Sequence, residues 1–163
     1  RGVLAADLLA GAHPSVAGLV AGTSDLAKEL RARHVPGREP LLLSLSAILL
    51  AARAHGLAAL DGVHLALDDE EGFAATCRQG RDLGFDGRTL IHPRTIEVAN
   101  RAFAPDASEV EAARRLLQAW RAGRAEGRGV VVPDGRLVEE LHAREAERLV
   151  ALAEAIAARA PRA

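Results

Sequence analysis

Apolar residues alternate along the first hundred positions between short runs and longer helical patterns. Short apolar runs at positions 16–20, within 57–67 and at 88–91 predict three strands. Helical patterns cover positions 3–9, 41–55 and 70–83, and Pro93 is expected to start a further helix. Strands separated by helices at this spacing predict a parallel sheet with crossover helices, which is an α/β fold.

Local signals mark where these elements begin and end. Gly56 is expected to end the second helix, Asp68 or Asp69 to cap the third, and Gly84 to end it. Positions 23–25 predict a polar turn after the first strand. Positions 31–40, which are rich in Arg, Pro and Gly, predict a loop.

The pattern changes after Phe103. The segment Pro-Asp-Ala-Ser at positions 105–108 is expected to cap a long helix that runs to about Gly123, and a final helix is predicted at positions 139–158. Two apolar runs flank the turn Pro133-Asp134-Gly135, so positions 130–138 predict a hairpin. We therefore divide the chain into an α/β part, residues 1–103, and a helical extension with a hairpin, residues 104–163.

Composition excludes several classes of function. The net charge is −1 and aromatic residues make up 2% of the 163 positions, so we expect no binding to nucleic acid or to an anionic membrane. The longest apolar run, around positions 41–52, is too short to span a bilayer. The single cysteine, Cys77, cannot form an internal disulfide and is interpreted as a small half-buried residue. Without a recognisable signal peptide, a cytoplasmic location is expected.

Polar residues that follow the predicted strands are the candidates for chemistry. Asp25 comes after a strand and a glycine, where it either binds Mg²⁺ or caps the next helix. His92 follows the last strand and is either an acid–base group or a structural histidine. Asp61 lies at a strand end or a bulge. Glu139 follows the hairpin and is either a reacting carboxylate or a solvated charge. The acidic run at positions 68–71 is interpreted as the solvated start of a helix.

Four segments together resemble one family. The run Gly-Phe-Asp-Gly-Arg-Thr-Leu-Ile-His-Pro at positions 84–93 resembles the last barrel strand of the HpcH/HpaI aldolase and citrate lyase beta subunit family. Positions 60–72 resemble the preceding strand and its loop, positions 22–27 the metal-binding turn, and positions 134–139 the C-terminal lid. The resemblance covers essentially the whole chain.

The resemblance implies the C-terminal part of a TIM (β/α)8 barrel, namely strands six to eight, followed by a helical and hairpin extension. In the family a glutamate at the end of strand five also binds Mg²⁺, and an arginine of the N-terminal half binds an anionic substrate group. Neither falls within these 163 residues.

The resemblance also implies the roles of individual residues. Asp25 would bind Mg²⁺, and Glu139 would take the place of the lid carboxylate that acts as acid or base in a neighbouring subunit. Ser24 stands where many relatives have an acidic residue. Six further residues would line the substrate and CoA pocket: Gly22, Thr23, Asp61, Ile91, His92 and Pro93.

The implied activity is a Mg²⁺-dependent carbon–carbon lyase acting on a 3-hydroxyacyl-CoA thioester of the malyl-CoA, citramalyl-CoA or citryl-CoA type. It would release a 2-oxo acid and acetyl-CoA or a related acyl-CoA, with a thioesterase reaction as a second step in some relatives. An aldolase acting on free 2-oxo acids and an inactive fragment without the metal-binding glutamate are the alternatives. The lid further implies a homo-oligomer, a trimer or a hexamer.

Overall fold

The computed structural model describes residues 1–159 and divides the chain into two compact units, Arg1–Phe103 and Ala104–Ala163. Residues 160–163, which belong to the predicted extension, lie outside the described part. The elements of the first unit are α1 (Ala6–Ala10), β1 (Gly18–Val20), α2 (Thr23–Leu30), α3 (Leu42–Ala54), β2 (Ala58–Asp61), α4 (Glu70–Leu83), β3 (Gly87–Arg88) and α5 (Ile96–Phe103). Those of the second unit are α6 (Ala107–Ala125) and α7 (Glu140–Arg159). Short 3-10 helices occupy Val3–Ala5, Glu39–Leu41, Pro93–Thr95 and Pro133–Gly135.

The three strands form one parallel sheet in the order β1-β2-β3, which confirms the predicted α/β architecture. Leu19 pairs with Ala59, and Leu60 pairs with Gly87. Since the strands are parallel, their carboxyl ends lie at one edge of the sheet. The residues that follow β1, β2 and β3 are therefore brought together at that edge.

The predicted helix ends of α3 and α4 are confirmed. The side chain of Asp69 accepts a hydrogen bond from the backbone N–H of Gly72, so it caps α4. Gly84 ends α4 with φ of 107°, a left-handed conformation that glycine adopts without a steric penalty. Gly56 follows α3 with φ of 66°.

The core of the first unit lies between the sheet and α3. Leu45 of α3 and Ala59 of β2 are fully buried there, and Phe85 closes the same cluster. Complete burial of a leucine side chain contributes roughly 2 kcal/mol. On the opposite face of the sheet, Val20 is 56% exposed and Ala58 is exposed. Among residues 1–103, apolar packing is therefore concentrated on one face of the sheet.

Three local expectations were wrong. Residues 23–25 form the first turn of α2 and not a separate turn, because the helix begins directly after Gly22. β3 is shorter than predicted and lies earlier, at Gly87–Arg88, since the chain turns away after Thr89 donates to the carbonyl of Asp61. The predicted hairpin is a single antiparallel bridge between Val131 and Val138 around a 3-10 turn.

The second unit is a pair of helices that closes on this bridge. Trp120 of α6 is buried with Val131, Val138 and Ala143, so the bridge belongs to the apolar core of α6 and α7. Asp106 and Glu109 form a capping box at the start of α6, which confirms the predicted start of that helix. No helix within residues 1–159 combines the length and the apolar character that crossing a membrane requires.

Candidate functional site

Asp25 lies at the carboxyl edge of the sheet, in the first turn of α2. Gly22 occupies the N-cap position, so the alternative in which Asp25 caps the helix is wrong. The Asp25 side chain is exposed, and no described residue forms a recorded hydrogen bond or ion pair with its carboxylate. A carboxylate at the third position of a helix interacts favourably with the positive end of the helix dipole. The fold therefore leaves the carboxylate of Asp25 accessible to a ligand.

Two hydroxyl groups beside Asp25 are buried without a partner. The Oγ1 atom of Thr23 and the Oγ atom of Ser24 have no hydrogen-bond partner within the described chain. Gly22, directly before them, has open space where a Cβ would point, so a ligand can approach its backbone. Buried polar atoms normally have hydrogen-bond partners, so we expect a ligand or a water molecule to bind these two hydroxyl groups.

These residues fit a magnesium ion bound through one carboxylate. Mg²⁺ prefers oxygen donors, takes one or two carboxylates from a protein and keeps several of its waters. Asp25 supplies an exposed carboxylate, and Thr23 and Ser24 supply oxygen atoms next to it. Within residues 1–159 no group of three His, Cys, Asp or Glu side chains could hold a metal, so the chain offers a partial ligand set.

Asp61, at the end of β2, is fully buried and paired with Arg38. The Nη1 atom of Arg38 lies 2.8 and 2.7 Å from the two carboxylate oxygens, and its Nε atom donates to Gln79 Oε1 at 2.6 Å. Asp61 has no exposed surface in this structure. The predicted direct contact with substrate remains a prediction, and the observed partner of Asp61 is an arginine.

Arg88, at the end of β3, is the second buried arginine of this edge. Its Nη2 and Nε atoms donate to the carbonyl of Gly62 at 2.6 and 3.2 Å, and its Nη1 atom donates to Thr76 Oγ1 at 2.8 Å. The guanidinium carbon lies 5.0 Å from the centre of the Phe73 ring. Burial raises the pKa of Cys77, whose sulfur accepts a hydrogen bond from Arg88 at 3.4 Å, so the thiol stays protonated as expected for a structural cysteine.

The segment Ile91-His92-Pro93 follows β3 at the same edge. His92 Nδ1 accepts from the backbone N–H of Arg94 at 3.2 Å, so the imidazole caps the short helix that Pro93 begins. Ile91 is 53% exposed, and His92 and Pro93 are also exposed. The three side chains are accessible to a ligand, and their predicted contact with CoA stays a prediction.

A cavity of about 160 Å³ lies between the loops that follow β2 and β3. Its walls include His64, Leu67, Phe73 and Arg94. The ring of His64 meets that of Phe73 edge to face at 5.8 Å, and its Nε2 atom has no hydrogen-bond partner among the described residues. Burial and then the positive charge of Arg88 lower the pKa of His64 from its ordinary value of 6.5, so the imidazole is neutral at neutral pH.

Glu139 belongs to the second unit and directly precedes α7. The side chain of Glu139 is half-buried. The backbone N–H of Glu139 donates a hydrogen bond to Nδ1 of His142 at 3.2 Å. The Val131–Val138 bridge fixes the chain immediately before it. Its role as an acid or base is a prediction.

Sequence reasoning missed Arg38, Arg88 and His64. An aspartate at the end of an apolar strand signals a buried charge, and such a charge requires a partner. The aspartate therefore indicates that a basic partner such as an arginine is needed. It does not indicate which one, because the partner comes from a distant loop.

The chain resembles known proteins over most of its length. A family model described as HpcH/HpaI aldolase/citrate lyase matches residues 1–93. A (3S)-malyl-CoA thioesterase of Cereibacter sphaeroides is 52% identical over 147 residues, which are 90% of this chain and 52% of that protein. The citrate lyase subunit beta of Leuconostoc mesenteroides subsp. cremoris is 35% identical over 154 residues, 94% of this chain and 51% of that protein.

A solved structure matches in three dimensions as well. It is the protein CitE from Mycobacterium tuberculosis in complex with magnesium, acetoacetate and coenzyme A, at a TM-score of 0.79 and 36% identity over 94% of this chain and 58% of that one. The chain thus spans about half the length of the curated relatives it matches. The predicted family resemblance and the predicted fold, three parallel strands with helices that correspond to part of a citrate lyase barrel, are confirmed.

Proposed function

The chain belongs to the HpcH/HpaI aldolase/citrate lyase family, and from this membership we propose that it forms the C-terminal part of a Mg²⁺-dependent carbon–carbon lyase acting on a 3-hydroxyacyl-CoA thioester. The observation that carries the proposal is the exposed, unpaired carboxylate of Asp25 at the carboxyl edge of the sheet. Ligands of parallel α/β folds bind at this edge. The relative crystallised with magnesium, acetoacetate and coenzyme A supports the same choice of metal and substrate class.

Malyl-CoA is the substrate that we propose first. The (3S)-malyl-CoA thioesterase is more similar to this chain, at 52% identity, than the citrate lyase beta subunit, at 35%. Lyase cleavage removes the proton of the 3-hydroxyl group and breaks the bond between C2 and C3. The electron pair moves to C2, giving the enolate of acetyl-CoA, and C3 leaves as the carbonyl carbon of glyoxylate. A proton then returns to C2.

Asp25 would hold the metal, with the hydroxyls of Thr23 and Ser24 available to its bound waters or to the substrate carboxylate. A Mg²⁺ ion at this place would act as a Lewis acid on the substrate oxygens. The open backbone of Gly22 would let the substrate carboxylate approach closely. His92, Ile91 and Pro93 would line the side of the pocket that receives the thioester.

Glu139 would move the proton. A carboxylate can take the hydroxyl proton and return it to the enolate carbon when it is held within hydrogen-bond distance. In the family the lid carboxylate serves the site of a neighbouring subunit, so we propose a homo-oligomer. Mixing a Glu139→Gln variant with an Asp25→Asn variant should then restore part of the activity, because some sites combine an intact metal turn with an intact lid. If each variant is inactive alone and the mixture stays inactive although subunits exchange, the two residues act within one chain.

Hydrolysis of the thioester is the second candidate activity, and the similarity to a (3S)-malyl-CoA thioesterase favours it. The products separate the two. The lyase yields acetyl-CoA and glyoxylate, whereas the thioesterase yields malate and free CoA. The polypeptide that contains these residues should be incubated with malyl-CoA and Mg²⁺, with a chelator as control. Turnover of pyruvate and an aldehyde without any turnover of CoA esters would favour the aldolase alternative instead.

A further inference from the structure

The backbone N–H and the carbonyl of Gly62, the residue directly after β2, each form a hydrogen bond with a buried charged side chain. Its N–H donates to Asp61 Oδ1 at 2.7 Å, and its carbonyl accepts from Nη2 of Arg88 at 2.6 Å. Hydrogen bonds to charged partners are stronger than neutral ones, particularly where water is excluded. A carboxylate therefore holds the peptide unit before Gly62, and a guanidinium holds the peptide unit after it.

Gly62 lies directly against the turn that carries Asp25. A Cβ at this position would lie 2.2 Å from Thr23 Oγ1 and 2.7 Å from the carbonyl oxygen of Ala21. Thr23 is 4% exposed, so it has no free space into which to move. Because Thr23 and Asp25 share the first turn of α2, a displacement at Gly62 displaces the turn and the carboxylate with it.

Arg38 holds the carboxylate that holds Gly62. It is 9% exposed and adopts φ of 56°, a left-handed conformation that costs a non-glycine residue roughly 1 kcal/mol. Such a conformation persists when surrounding contacts determine it. Here those contacts are the two oxygens of Asp61 and the amide of Gln79, which also donates to the carbonyl of Gly37 at 2.6 Å.

We propose that Arg38 and Arg88 are positioning residues of the metal turn: Arg38, through Asp61, fixes the peptide before Gly62, Arg88 fixes the peptide after it, and the Gly62 backbone fixes Thr23 and hence the placement of Asp25. This inference rests on the proposed function, since it assumes that Asp25 binds the metal. It assigns a use to the two arginines buried at the carboxyl edge.

The first test measures Mn²⁺ binding, by the electron paramagnetic resonance signal of free Mn²⁺, in the polypeptide that contains these residues. Arg38→Met should weaken Mn²⁺ affinity about tenfold, the scale typical of groups that orient a metal ligand, and Arg38→Lys should recover part of the loss. The matched control is Arg53→Met. Arg53 also binds an aspartate through two contacts, Nη1 and Nη2 at 2.9 Å from the oxygens of Asp86, but it lies near the start of β2. Its replacement should leave Mn²⁺ affinity unchanged.

The second test does not require removal of a buried charge. Gly62→Ala should displace Thr23 and weaken Mn²⁺ affinity by a similar factor, because the added Cβ would lie 2.2 Å from Thr23 Oγ1. Gly87→Ala is the matched control, because its Cβ would meet Leu60 at 3.4 Å, an ordinary contact. Thermal unfolding of every variant identifies any that does not fold.

The results separate the inference from the function on which it rests. Loss of Mn²⁺ binding in Asp25→Asn, together with parental affinity in folded Arg38→Met and Gly62→Ala, overturns the positioning role and leaves the metal site intact. Parental binding in Asp25→Asn overturns the proposed function itself. Weakened binding in Arg38→Met and Gly62→Ala, with parental binding in Arg53→Met and Gly87→Ala, supports the inference.

Discussion

The Nη1 atom of Arg38 lies 2.8 and 2.7 Å from the two carboxylate oxygens of Asp61, although 23 positions separate the residues in the chain. Asp61 has no exposed surface, so its charge depends on this one guanidinium and on the peptide N–H of Gly62. The pair links the loop after α2 to the end of β2. The same contact therefore stabilises the fold and lies at the edge of the sheet that carries the candidate site.

Removing Arg38 should destabilise the folded chain strongly. Arg38→Met leaves the Asp61 carboxylate buried without its partner, and the free energy of unfolding should fall by about 3 kcal/mol. The double variant Arg38→Met/Asp61→Leu should lose less, since no unpaired charge remains inside. Urea unfolding curves measure both. A double variant that is less stable than the single one would show that the pair stabilises the fold beyond neutralising a buried charge.

The buried face of α3 should be far more sensitive than its exposed face. Leu45 is fully buried against the sheet, whereas Leu43, on the same helix, is 84% exposed. Leu45→Ala should lower the free energy of unfolding by about 3 kcal/mol through lost burial and the cavity left behind. Leu43→Ala is the control and should change it by less than about 0.5 kcal/mol. Equal effects in denaturant unfolding would contradict the assigned core.

The start of α6 depends on Asp106. Its Oδ1 atom accepts a hydrogen bond from the backbone N–H of Glu109 at 2.8 Å, so Asp106→Ala should cost about 1 kcal/mol of stability. Asp106→Asn retains a capping oxygen and should cost markedly less. Circular dichroism during urea unfolding compares the two. Indistinguishable losses would mean that the carboxylate charge, and not the capping oxygen, stabilises the helix.

The sequence predicted those structural features that depend on residues close together in the chain, and it missed those that depend on contacts between residues far apart. The caps at Asp69, Gly84 and Asp106 were predictable because the signal lies within a few residues of its effect. Asp25 was placed at the carboxyl edge of the sheet because the alternation of strands and helices predicts parallel strands, and Asp25 follows the end of one of them. The prediction of two hairpin strands was wrong, since Val131 and Val138 form a single antiparallel bridge. Both side chains are buried in one cluster with Trp120, a contact that no local pattern shows.

The contacts between charged and polar groups at the carboxyl edge of the sheet were not predictable from the sequence. Which arginine neutralises Asp61, and which one binds the carbonyl of Gly62, depends on how a loop 23 positions away and a strand 26 positions away are brought to this place. Arg38 in particular lies in a loop whose composition predicts only irregular structure. The resemblance to a family supplied the proposed role of Asp25 but not the contacts that hold its turn.

The stability of the chain should depend on His64 in mildly acidic solution. Burial, and then Arg88, lower the pKa of His64 in the folded chain below 6.5, so the unfolded chain binds the proton more readily. Stability attributable to His64 is complete above pH 6.5 and declines as the pH falls from 6.5 towards the folded-state pKa. His64→Gln should therefore show a smaller loss of unfolding free energy between about pH 7.5 and about pH 5.5 than the parent.

The control for that comparison is His34→Gln, at an exposed histidine in the loop after α2, which should keep the parental pH dependence. Urea unfolding at the two pH values provides the measurement. If His64→Gln and the parent lose the same free energy on acidification, His64 is not held neutral by its surroundings.

The central claim is that Asp25 holds a divalent metal that a CoA-ester cleavage requires. The most direct measurement is the rate of Mg²⁺-dependent malyl-CoA cleavage by the polypeptide that contains these residues, compared with Asp25→Asn and with Asp82→Ala, a change at an exposed aspartate of α4. The account predicts that Asp25→Asn lowers the rate at least about 100-fold, because the metal affinity and its Lewis-acid effect are lost together, while Asp82→Ala keeps the parental rate. Undiminished turnover by Asp25→Asn at the same Mg²⁺ concentration would contradict it.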